Sequence, residues 1–557
     1  MIHSNTKKKY TSIIALNSHP SSTSSSILDN LLYLNFEFIL HQSFSFTNKQ
    51  STIYKMEIHQ NQMIQTKDKS ISQIYEISDA LDMATSGKIS FGYHSLQILC
   101  SANNQKALEE YSSIISTELI NSGITPVRET INMEMSYFSL FPGNEEYIMR
   151  KTLINTMNLS GYVSLHNFPI GSKENNHWGS YTTLLETTAD TPYYFNFHAK
   201  DSDVGHTLII GPTGAGKTVI MNFLSAQLQK FKPKMFFFDK DHGAEIFIRA
   251  INGIYNIVQT SAKCGFNPLQ LPENEANKAF LFEWLSVLVT TNNEELSSKD
   301  RQLIHQAIEG NYRLNKNNRQ LKNIAPFLGI PINNNIASRL KLWYGNGAKA
   351  NIFDNLEDTI NFSNSRIFGF EMSNILQDKT ALNPVLLYIF HKIQISLTGY
   401  PTAIILDEAW ALIDNPLFRK KIKDWLKVLR KLNTFVVFAT QSVEDATESS
   451  ISHTIVQQTS TQIFLPNLKA TDIYKKVFML TDREYALIKT TDPKTRFFLI
   501  KQNKESVIAR IDLSNMPQII SVLSGKSKTT NILNKLIYKY GENVNDWLPK
   551  FYLYTKN

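Results

Sequence analysis

The stretch His206–Leu224 reads HTLIIGPTGAGKTVIMNFL and decides the class of fold. An apolar run leads into a glycine-rich turn, after which Lys217 and Thr218 open a segment with the apolar spacing of a helix. The turn GPTGAGKT satisfies the phosphate-binding loop pattern, GxxxxGK[ST]. Because it follows a strand-like run and precedes a helix, this pattern predicts a binding site for the phosphates of a nucleotide.

Each residue type in this loop has a chemical reason. Glycines let the backbone turn tightly, so that its N–H groups point into one cavity, and the following helix directs its positive end to the same point. Lys217 supplies a cation for the β- and γ-phosphates, and Thr218 offers a hydroxyl to Mg²⁺. We therefore expect ATP and Mg²⁺ at the loop formed by Gly211, Pro212, Thr213, Gly214, Ala215, Gly216, Lys217 and Thr218.

Two further apolar runs end in polar residues suited to the same chemistry. The run AIILDEAW places Asp407 and Glu408 directly after a strand, where they face the crevice in which open α/β sheets bind ligands. Asp407 is suited to hold Mg²⁺, and Glu408 to orient or deprotonate the attacking water. The run TFVVFATQS ends at Gln441, whose amide is suited to sense the γ-phosphate or to position water.

A basic helical stretch, NPLFRKKIKDWLKVLRKLN, lies between these two runs. Its apolar residues fall on one helical face, which predicts a buried side; they are Phe418, Ile422, Trp425, Leu426 and Leu429. Most of its basic residues fit a solvated face. Arg430, near the helix end, is either one of these or an arginine that reaches the nucleotide of a neighbouring subunit, a contact worth ~10³–10⁵ in rate where it occurs.

The alternation of apolar runs and helical stretches along the chain predicts its domains. From about Val204, short apolar runs alternate with helical stretches, which indicates a parallel sheet buried on both faces. The runs are HTLIIG, KMFFFD, RIFGFEM, TAIILD, TFVVFAT, TQIFLP and TRFFLIK. We predict an α+β amino-terminal domain over 1–200, an α/β P-loop domain over 201–525 with an all-helical insertion at about 272–350, and a helical extension over 526–557.

Composition narrows the class of protein. Apolar residues make up 42%, as in globular proteins, and 57 Lys and Arg against 49 acids give a net charge of +8. That charge fits either a basic soluble surface or an acidic partner such as nucleic acid or an anionic membrane. Two cysteines cannot build a disulfide framework or a cysteine-based zinc site, which favours a reducing compartment. No run reaches the ~20 apolar residues of a membrane helix, so we expect any membrane contact to be peripheral.

The chain resembles the CagE/TrbE/VirB family of type IV secretion and conjugation ATPases. The resemblance is carried by GPTGAGKT, FFFDKDHGAEIFIRAINGIY, GFNPLQL, the stretch from ILDEAW to SVEDA, IVQQTSTQIFLPN and IDLSNMPQIISVLSG, and nearer the start by LDNLLYLNFEFILHQSFSF and FGYHSLQILCSANNQKALEEYSSII. It implies a RecA-like P-loop NTPase of the FtsK/HerA type with an all-helical insertion. Because the resemblance begins partway into the family's first domain, we expect a shortened α+β amino-terminal domain. His242 stands where the family pattern has arginine, a change we do not expect to stop catalysis.

The resemblance also implies an activity and partners. It implies a Mg²⁺-dependent ATPase, peripheral to the cytoplasmic face of the bacterial inner membrane, that self-associates as a hexamer and energises pilus assembly and substrate transfer with other channel components. The implied roles are nucleotide binding for Lys217 and Thr218, metal binding and water activation for Asp407 and Glu408, sensing for Gln441, and action between subunits for Arg430. Two alternatives stay open: a nucleotide-binding scaffold with little hydrolysis, and a DNA-pumping translocase, although the sequence shows no DNA-binding motif.

Overall fold

The computed structural model describes the chain in two compact units. The described residues are all except 1, 4–7, 35, 67–70, 164–168, 201, 291–294, 333–334, 410–415, 442–451, 504 and 556–557. The first unit comprises residues 1–168 with 188–190, and the second comprises 169–187 with 191–557. Among the described helices, none combines the length and the hydropathy that a membrane span requires.

The first unit has helices packed on an antiparallel sheet, an α+β arrangement. Its described strands are β1 Ile2–His3, β2 Lys8–Ser18, β3 Phe38–Phe46, β4 Phe91–Ala102, β5 Thr125–Arg128 and β6 Thr152–Asn155. They pair in the order β1-β2-β4-β3, with β5 on β2 and β6 on β4. Its helices are α1 Lys49–Gln65, α2 Ile71–Thr85, α3 Gln105–Asn121, α4 Met133–Phe138 and α5 Thr156–Tyr162. Helix α3 begins at an Asn104 cap and buries Leu108, Ile115 and Leu119.

The second unit contains an eleven-stranded sheet within the described residues. Its strands are β7 Thr183–Thr187, β8 Pro192–Phe195, β9 Thr207–Ile210, β10 Lys234–Asp239, β11 Ile254–Ile257, β12 Ile367–Glu371, β13 Thr402–Leu406, β14 Thr434–Thr440, β15 Thr461–Phe464, β16 Phe497–Gln502 and β17 Glu505–Arg510. Their order is β11-β12-β10-β13-β14-β9-β15-β16-β17-β7-β8. The strands from β11 to β15 in this order are parallel, and the remaining pairs are antiparallel.

All seven runs form strands as predicted, but one of these strands is antiparallel to its neighbours, whereas the prediction was a parallel sheet. The run TRFFLIK forms β16, which pairs antiparallel with β15 and continues into β17. Apolar content shows that a strand is buried but not which way it runs, so the sequence pattern did not distinguish this strand from the parallel ones.

Alternate residues of the central strands enter cores on opposite faces of the sheet. On β10, Phe236 and Phe238 belong to one hydrophobic core, whereas Met235 and Phe237 belong to the other. All four side chains are 1% exposed or less. This double burial is the reason why the runs read as continuously apolar rather than alternating.

Helices pack on both faces of the eleven-stranded sheet, and several of them lie in the chain segment between β11 and β12. They are α6 Lys217–Gln227, α7 Glu245–Ala250, α8 Glu275–Val289, α9 Ser298–Arg313, α10 Leu321–Ile324, α11 Ile336–Leu340, α12 Ala350–Phe353, α13 Ser373–Leu376, α14 Lys379–Ser396, α15 Pro416–Leu429, α16 Ser452–Gln458, α17 Ile473–Phe478, α18 Asp482–Thr490, α19 Pro517–Leu523, α20 Ser527–Tyr540 and α21 Val544–Tyr554. Between β11 and β12 the described elements are helical, from α8 to α12, and bury Trp284, Trp343 and Phe353 in one core.

Helix α15 buries the face that its apolar spacing predicts. Ile422, Trp425, Leu426 and Leu429 are each 6% exposed or less. The side chain of Phe418, predicted on the same face, lies outside the described residues. The helix thereby packs against the sheet and connects β13 to β14, the strands that carry Asp407 and Gln441 at their ends.

A buried histidine, directly before strand β9, forms hydrogen bonds with helix α15 and strand β14. His206 is 1% exposed, and its Nδ1 accepts a hydrogen bond from the Val436 N–H at 3.0 Å. Its Nε2 then carries the hydrogen and donates to the Leu426 carbonyl at 3.3 Å. Burial lowers the pKa of His206 from 6.5 to about 4, so the folded protein keeps this ring neutral.

His206 makes folding sensitive to acid. The unfolded chain binds a proton at this ring more readily than the folded protein does, so the stabilisation is complete above pH 6.5 and is lost as the pH falls towards about 4. Between about pH 7.5 and about pH 5, we expect the free energy of unfolding to fall by about 2 kcal/mol more in the wild type than in His206→Gln. Urea unfolding at both pH values measures this. His305→Gln, at an exposed histidine, is the control and should match the wild type.

Candidate nucleotide site

The phosphate-binding loop requires glycine for two separate reasons. Gly214 and Gly216 have φ values of 82° and 99°, in the left-handed region that favours glycine. Gly216 is also the residue before helix α6, which begins at Lys217. At Gly211 the limit is contact, because a Cβ there would lie 2.8 Å from the Cβ of Leu465. The loop therefore has the conformation and the following helix that the sequence pattern predicted.

The order of the strands brings the predicted residues together at the carboxyl ends of three central strands. Strand β14 lies between β9, which precedes the loop, and β13, which precedes Asp407 and Glu408. Because these three strands are parallel, their carboxyl ends meet at the same edge. Gln441, the residue after β14, therefore sits between the loop and the two acids.

Side-chain contacts join these residues directly. The Nζ of Lys217 donates to Asp407 Oδ1 at 2.9 Å and to Glu408 Oε1 at 2.6 Å. Gln441 Nε2 donates to the same Glu408 oxygen at 2.6 Å, and its Oε1 accepts a hydrogen bond from Thr213. The side chains of Lys217, Asp407 and Glu408 are only 6%, 7% and 14% exposed. One buried ammonium thus neutralises part of the charge of a buried and a half-buried carboxylate.

The second of the two acids has an unusual backbone conformation. Glu408 has a φ of 51°, a left-handed value that is uncommon outside glycine and that often marks functional sites. Its N–H donates to Asp407 Oδ1 at 3.1 Å, and the Asp407 N–H donates to the Phe238 carbonyl at 2.9 Å. Burial raises the pKa of Asp407, and the neighbouring Lys217 opposes that rise. These contacts direct both carboxylates towards the phosphate-binding loop.

A cavity of 590 Å³ lies along the loop, within the usual size range of small-molecule sites. Residues 212–220 and Gln441 line it, and segments late in the chain complete it. The late residues include Pro493, Arg496, Phe497, Asp512, Ser514 and Lys526. Sequence reasoning gave these late residues no role at the site, because nothing in their local pattern marks a ligand contact and only the fold brings them to the loop.

Sequence reasoning also missed a buried network beside the two acids. Asp239 and Glu371 end strands β10 and β12, and the hydroxyl of Tyr255 contacts a carboxyl oxygen of each, at 2.6 and 2.9 Å. Because a hydroxyl carries one hydrogen, contact with both carboxyls requires a second hydrogen on one of them. Burial and the charge of Asp407 raise the pKa of Asp239, in agreement with that arrangement. The signal was present, since both acids directly follow apolar runs, as Asp407 does.

Arg430 lies near the amino-terminal end of strand β14, away from the nucleotide site. It precedes β14, whereas Gln441 follows it, and a strand of this length spans about 23 Å. Its Nε donates to Asp203 Oδ2 at 2.8 Å, and its side chain is 54% exposed. The structure therefore does not bring Arg430 to the nucleotide site of its own chain, and its action between subunits stays a prediction.

The donor set at the loop fits a magnesium nucleotide. Mg²⁺ prefers oxygen ligands and is usually held by one or two carboxylates together with phosphates and water. The hydroxyl of Thr218, at the start of α6, and the carboxylate of Asp407 provide such ligands. His242 is engaged elsewhere, because its Nδ1 contacts Glu245 Oε2 at 2.7 Å.

Comparison with family models gives two matches. Residues 1–150 match the model of the CagE, TrbE, VirB family, a component of the type IV transporter system. Residues 332–515 match the TraG P-loop domain. The second match includes strands β13 and β14, which Asp407 and Gln441 directly follow.

Curated relatives match over nearly the full chain. The type IV secretion system protein virB4 of Bartonella henselae is 39% identical over 559 residues, which span 100% of this chain and 71% of that protein. PtlC of Bordetella pertussis, also a type IV secretion system protein, is 30% identical over 572 residues, spanning 98% of this chain and 69% of PtlC. Identity at this level over this length places all three proteins in one family.

Comparison with solved structures gives matches of low identity. VirB4 of Thermoanaerobacter pseudethanolicus has a TM-score of 0.49 and 15% identity, covering 61% of this chain and 98% of that one. The plasmid coupling protein TrwB in complex with ADP and Mg²⁺ has a TM-score of 0.43 and 12% identity, covering 62% of this chain and 94% of TrwB.

Proposed function

The chain belongs to the CagE, TrbE, VirB family of type IV secretion proteins, and from that premise we propose that it is a Mg²⁺-dependent ATPase that energises pilus assembly and substrate transfer. Its fold is that of a RecA-like P-loop NTPase. The observation that supports the activity is the convergence of Lys217, Asp407, Glu408 and Gln441 at one edge of the sheet. A scaffold without hydrolysis needs neither the paired acids nor the amide that contacts them.

The residues have separate roles in the proposed hydrolysis. Bound Mg²⁺, held by Thr218 and Asp407, would neutralise charge on the phosphates. The ammonium of Lys217 exchanges its contacts with the two acids for contacts with the β- and γ-phosphate oxygens. Glu408, once released by Lys217, orients the attacking water and accepts its proton. Gln441, which already donates to Glu408, holds that carboxylate and the water in position.

We further propose where the protein works and with which partners. The relatives are type IV secretion system proteins, which supports contacts with other channel components. We place the protein at the cytoplasmic face of the inner membrane as a peripheral, self-associating subunit, with a hexamer as the proposed ring. DNA as the transported substrate is not part of this proposal, because no DNA-binding motif in the sequence supports it.

The test of this function is complementation of a strain that lacks the gene. We expect wild-type protein to restore substrate transfer and Lys217→Ala to restore none, although both accumulate to the same level. Full rescue by Lys217→Ala would instead show that the protein acts as a scaffold and would contradict the proposed motor.

The proposed role of Arg430 predicts a difference between two variants of one ion pair. Arg430→Ala removes the arginine, whereas Asp203→Asn leaves it in place without its partner. If Arg430 acts on a neighbouring nucleotide, we expect ATP turnover at high protein concentration to fall at least about 10-fold in Arg430→Ala and to persist in Asp203→Asn. Steady-state ATPase assays over a dilution series measure this. Equal turnover in both variants would limit Arg430 to its pairing with Asp203.

A further inference from the structure

A buried hydrogen-bond network lies next to the proposed magnesium site. Asp239 and Glu371 are directly opposite each other in the parallel pair β10–β12. Tyr255, on the neighbouring strand β11, bridges their carboxyls through its hydroxyl. Asp239, Tyr255 and Glu371 are 1%, 7% and 0% exposed. Burying three polar side chains this deeply is costly unless they are hydrogen-bonded, as these three are.

The two carboxyls hold the turn that follows β10. Asp239 Oδ1 accepts from the Lys240 N–H at 3.0 Å, and its Oδ2 accepts from the Ala244 N–H at 2.9 Å. Glu371 Oε2 accepts from the His242 N–H at 2.8 Å. Three backbone donors of residues 240–244 are therefore satisfied by these two side chains, and the turn takes its shape from them.

This turn is strained and needs those contacts. Asp241 and His242 have φ values of 57° and 59°, so two consecutive non-glycine residues are left-handed. A left-handed conformation is unfavourable for residues other than glycine, and it persists where the surroundings fix it. Loss of the carboxyl contacts would let the turn relax towards an ordinary conformation.

The turn packs directly on the helix that carries the magnesium-binding hydroxyl. A Cβ placed on Gly243 would lie 3.3 Å from Asp239 Oδ1 and 3.3 Å from Thr218 Cγ2. Asn222 of helix α6 is fully buried and donates to the Gly243 carbonyl at 3.0 Å. The turn therefore packs against Thr218 and is hydrogen-bonded to helix α6.

We propose that Asp239, Tyr255 and Glu371 are positioning residues for the magnesium site, which they support by holding the 240–244 turn against Thr218. This inference rests on the proposed ATPase activity. The three residues act on Thr218 through the turn and do not touch the phosphates. Loss of residues that hold metal ligands in place, without touching the metal themselves, changes metal affinity or activity about 10- to 100-fold.

The test compares two buried tyrosines. In Tyr255→Phe we expect the Mg²⁺ concentration for half-maximal ATPase to rise about 10-fold, with kcat lowered and KM for ATP changed by less than about 3-fold. Mn²⁺ binding in the presence of ADP, measured by electron paramagnetic resonance, should weaken by a similar factor. ADP binding in EDTA should remain unchanged. Tyr388→Phe is the matched control, because Tyr388 is 0% exposed and its hydroxyl contacts Asp358.

A second variant removes no hydrogen-bonding group. Gly243→Ala inserts a methyl group between Asp239 and Thr218, so we expect the same weakening of Mn²⁺ binding with ADP binding in EDTA intact. It also decides the matter if Tyr255→Phe does not fold.

Two results would overturn the inference. One is equal Mg²⁺ dependence in Tyr255→Phe and Tyr388→Phe, and the other is wild-type Mn²⁺ binding by Gly243→Ala. In both cases, a wild-type protein that hydrolyses ATP and an inactive Lys217→Ala leave the proposed function standing. Absence of ATP hydrolysis in the wild type would instead remove the proposed function itself.

Discussion

The Lys217→Ala variant is expected to lose ATP hydrolysis by about 10³-fold or more, since fixed donors at developing phosphate charge contribute this much in related sites. The ammonium of Lys217 is the group that contacts both Asp407 and Glu408, at 2.9 and 2.6 Å. In the proposed reaction it stabilises charge on the transferred phosphate, which alanine cannot do. Steady-state phosphate release at saturating ATP and Mg²⁺ measures the loss.

Folding must be separated from chemistry in this variant. Removing Lys217 leaves the buried Asp407 and the half-buried Glu408 without their ammonium partner, and breaking a buried ion pair costs about 3–5 kcal/mol. Lys217→Arg is the matched variant, because it keeps the charge but presents a planar fork in place of a compact ammonium. We expect it to unfold at a temperature close to that of the wild type and still to be inactive. Hydrolysis by Lys217→Ala at the wild-type rate would contradict the assigned role.

The Glu408→Gln variant is expected to bind nucleotide but to hydrolyse it about 10³-fold more slowly, within the range attributed to general base catalysis. The amide retains an oxygen for the contacts with Lys217 and Gln441 but cannot accept a proton from water. Single-turnover hydrolysis measures the chemical step, and titration with a fluorescent ADP analogue measures binding.

Asp407→Asn separates the two acids. Because Asp407 is the proposed magnesium ligand, we expect that variant to require more Mg²⁺, whereas Glu408→Gln should keep the wild-type Mg²⁺ dependence. Rapid hydrolysis by Glu408→Gln would show that another group activates the water, and loss of nucleotide binding would assign Glu408 to binding instead.

The parts of this site that the sequence predicts are those with short-range signals. The loop GPTGAGKT, the acids after AIIL and the glutamine after TFVVFAT each follow an apolar strand within a few residues. Because parallel strands end at one edge, their convergence also follows from the pattern. Because the central strands are buried on both faces, their sequences are continuously apolar. This pattern is sufficient to predict the α/β class.

Other features depend on pairings between distant segments, and no local pattern shows these. The position of β14 between β9 and β13, which places Gln441 beside Glu408, is set by strand order. The antiparallel direction of β16 is likewise invisible in an apolar run. Strand β11 is only four residues long, yet it carries Tyr255, which joins Asp239 to Glu371.

The most direct test of the site is the structure of the protein with Mg²⁺ and a non-hydrolysable ATP analogue. We expect the Nζ of Lys217 to leave the two acids and to lie about 3 Å from the β- and γ-phosphate oxygens, as charge-assisted hydrogen bonds require. We expect Thr218 and Asp407 to bind the metal, with Glu408 facing the γ-phosphate. A structure in which Lys217 stays paired with Asp407 and Glu408 while the nucleotide binds elsewhere would contradict this assignment.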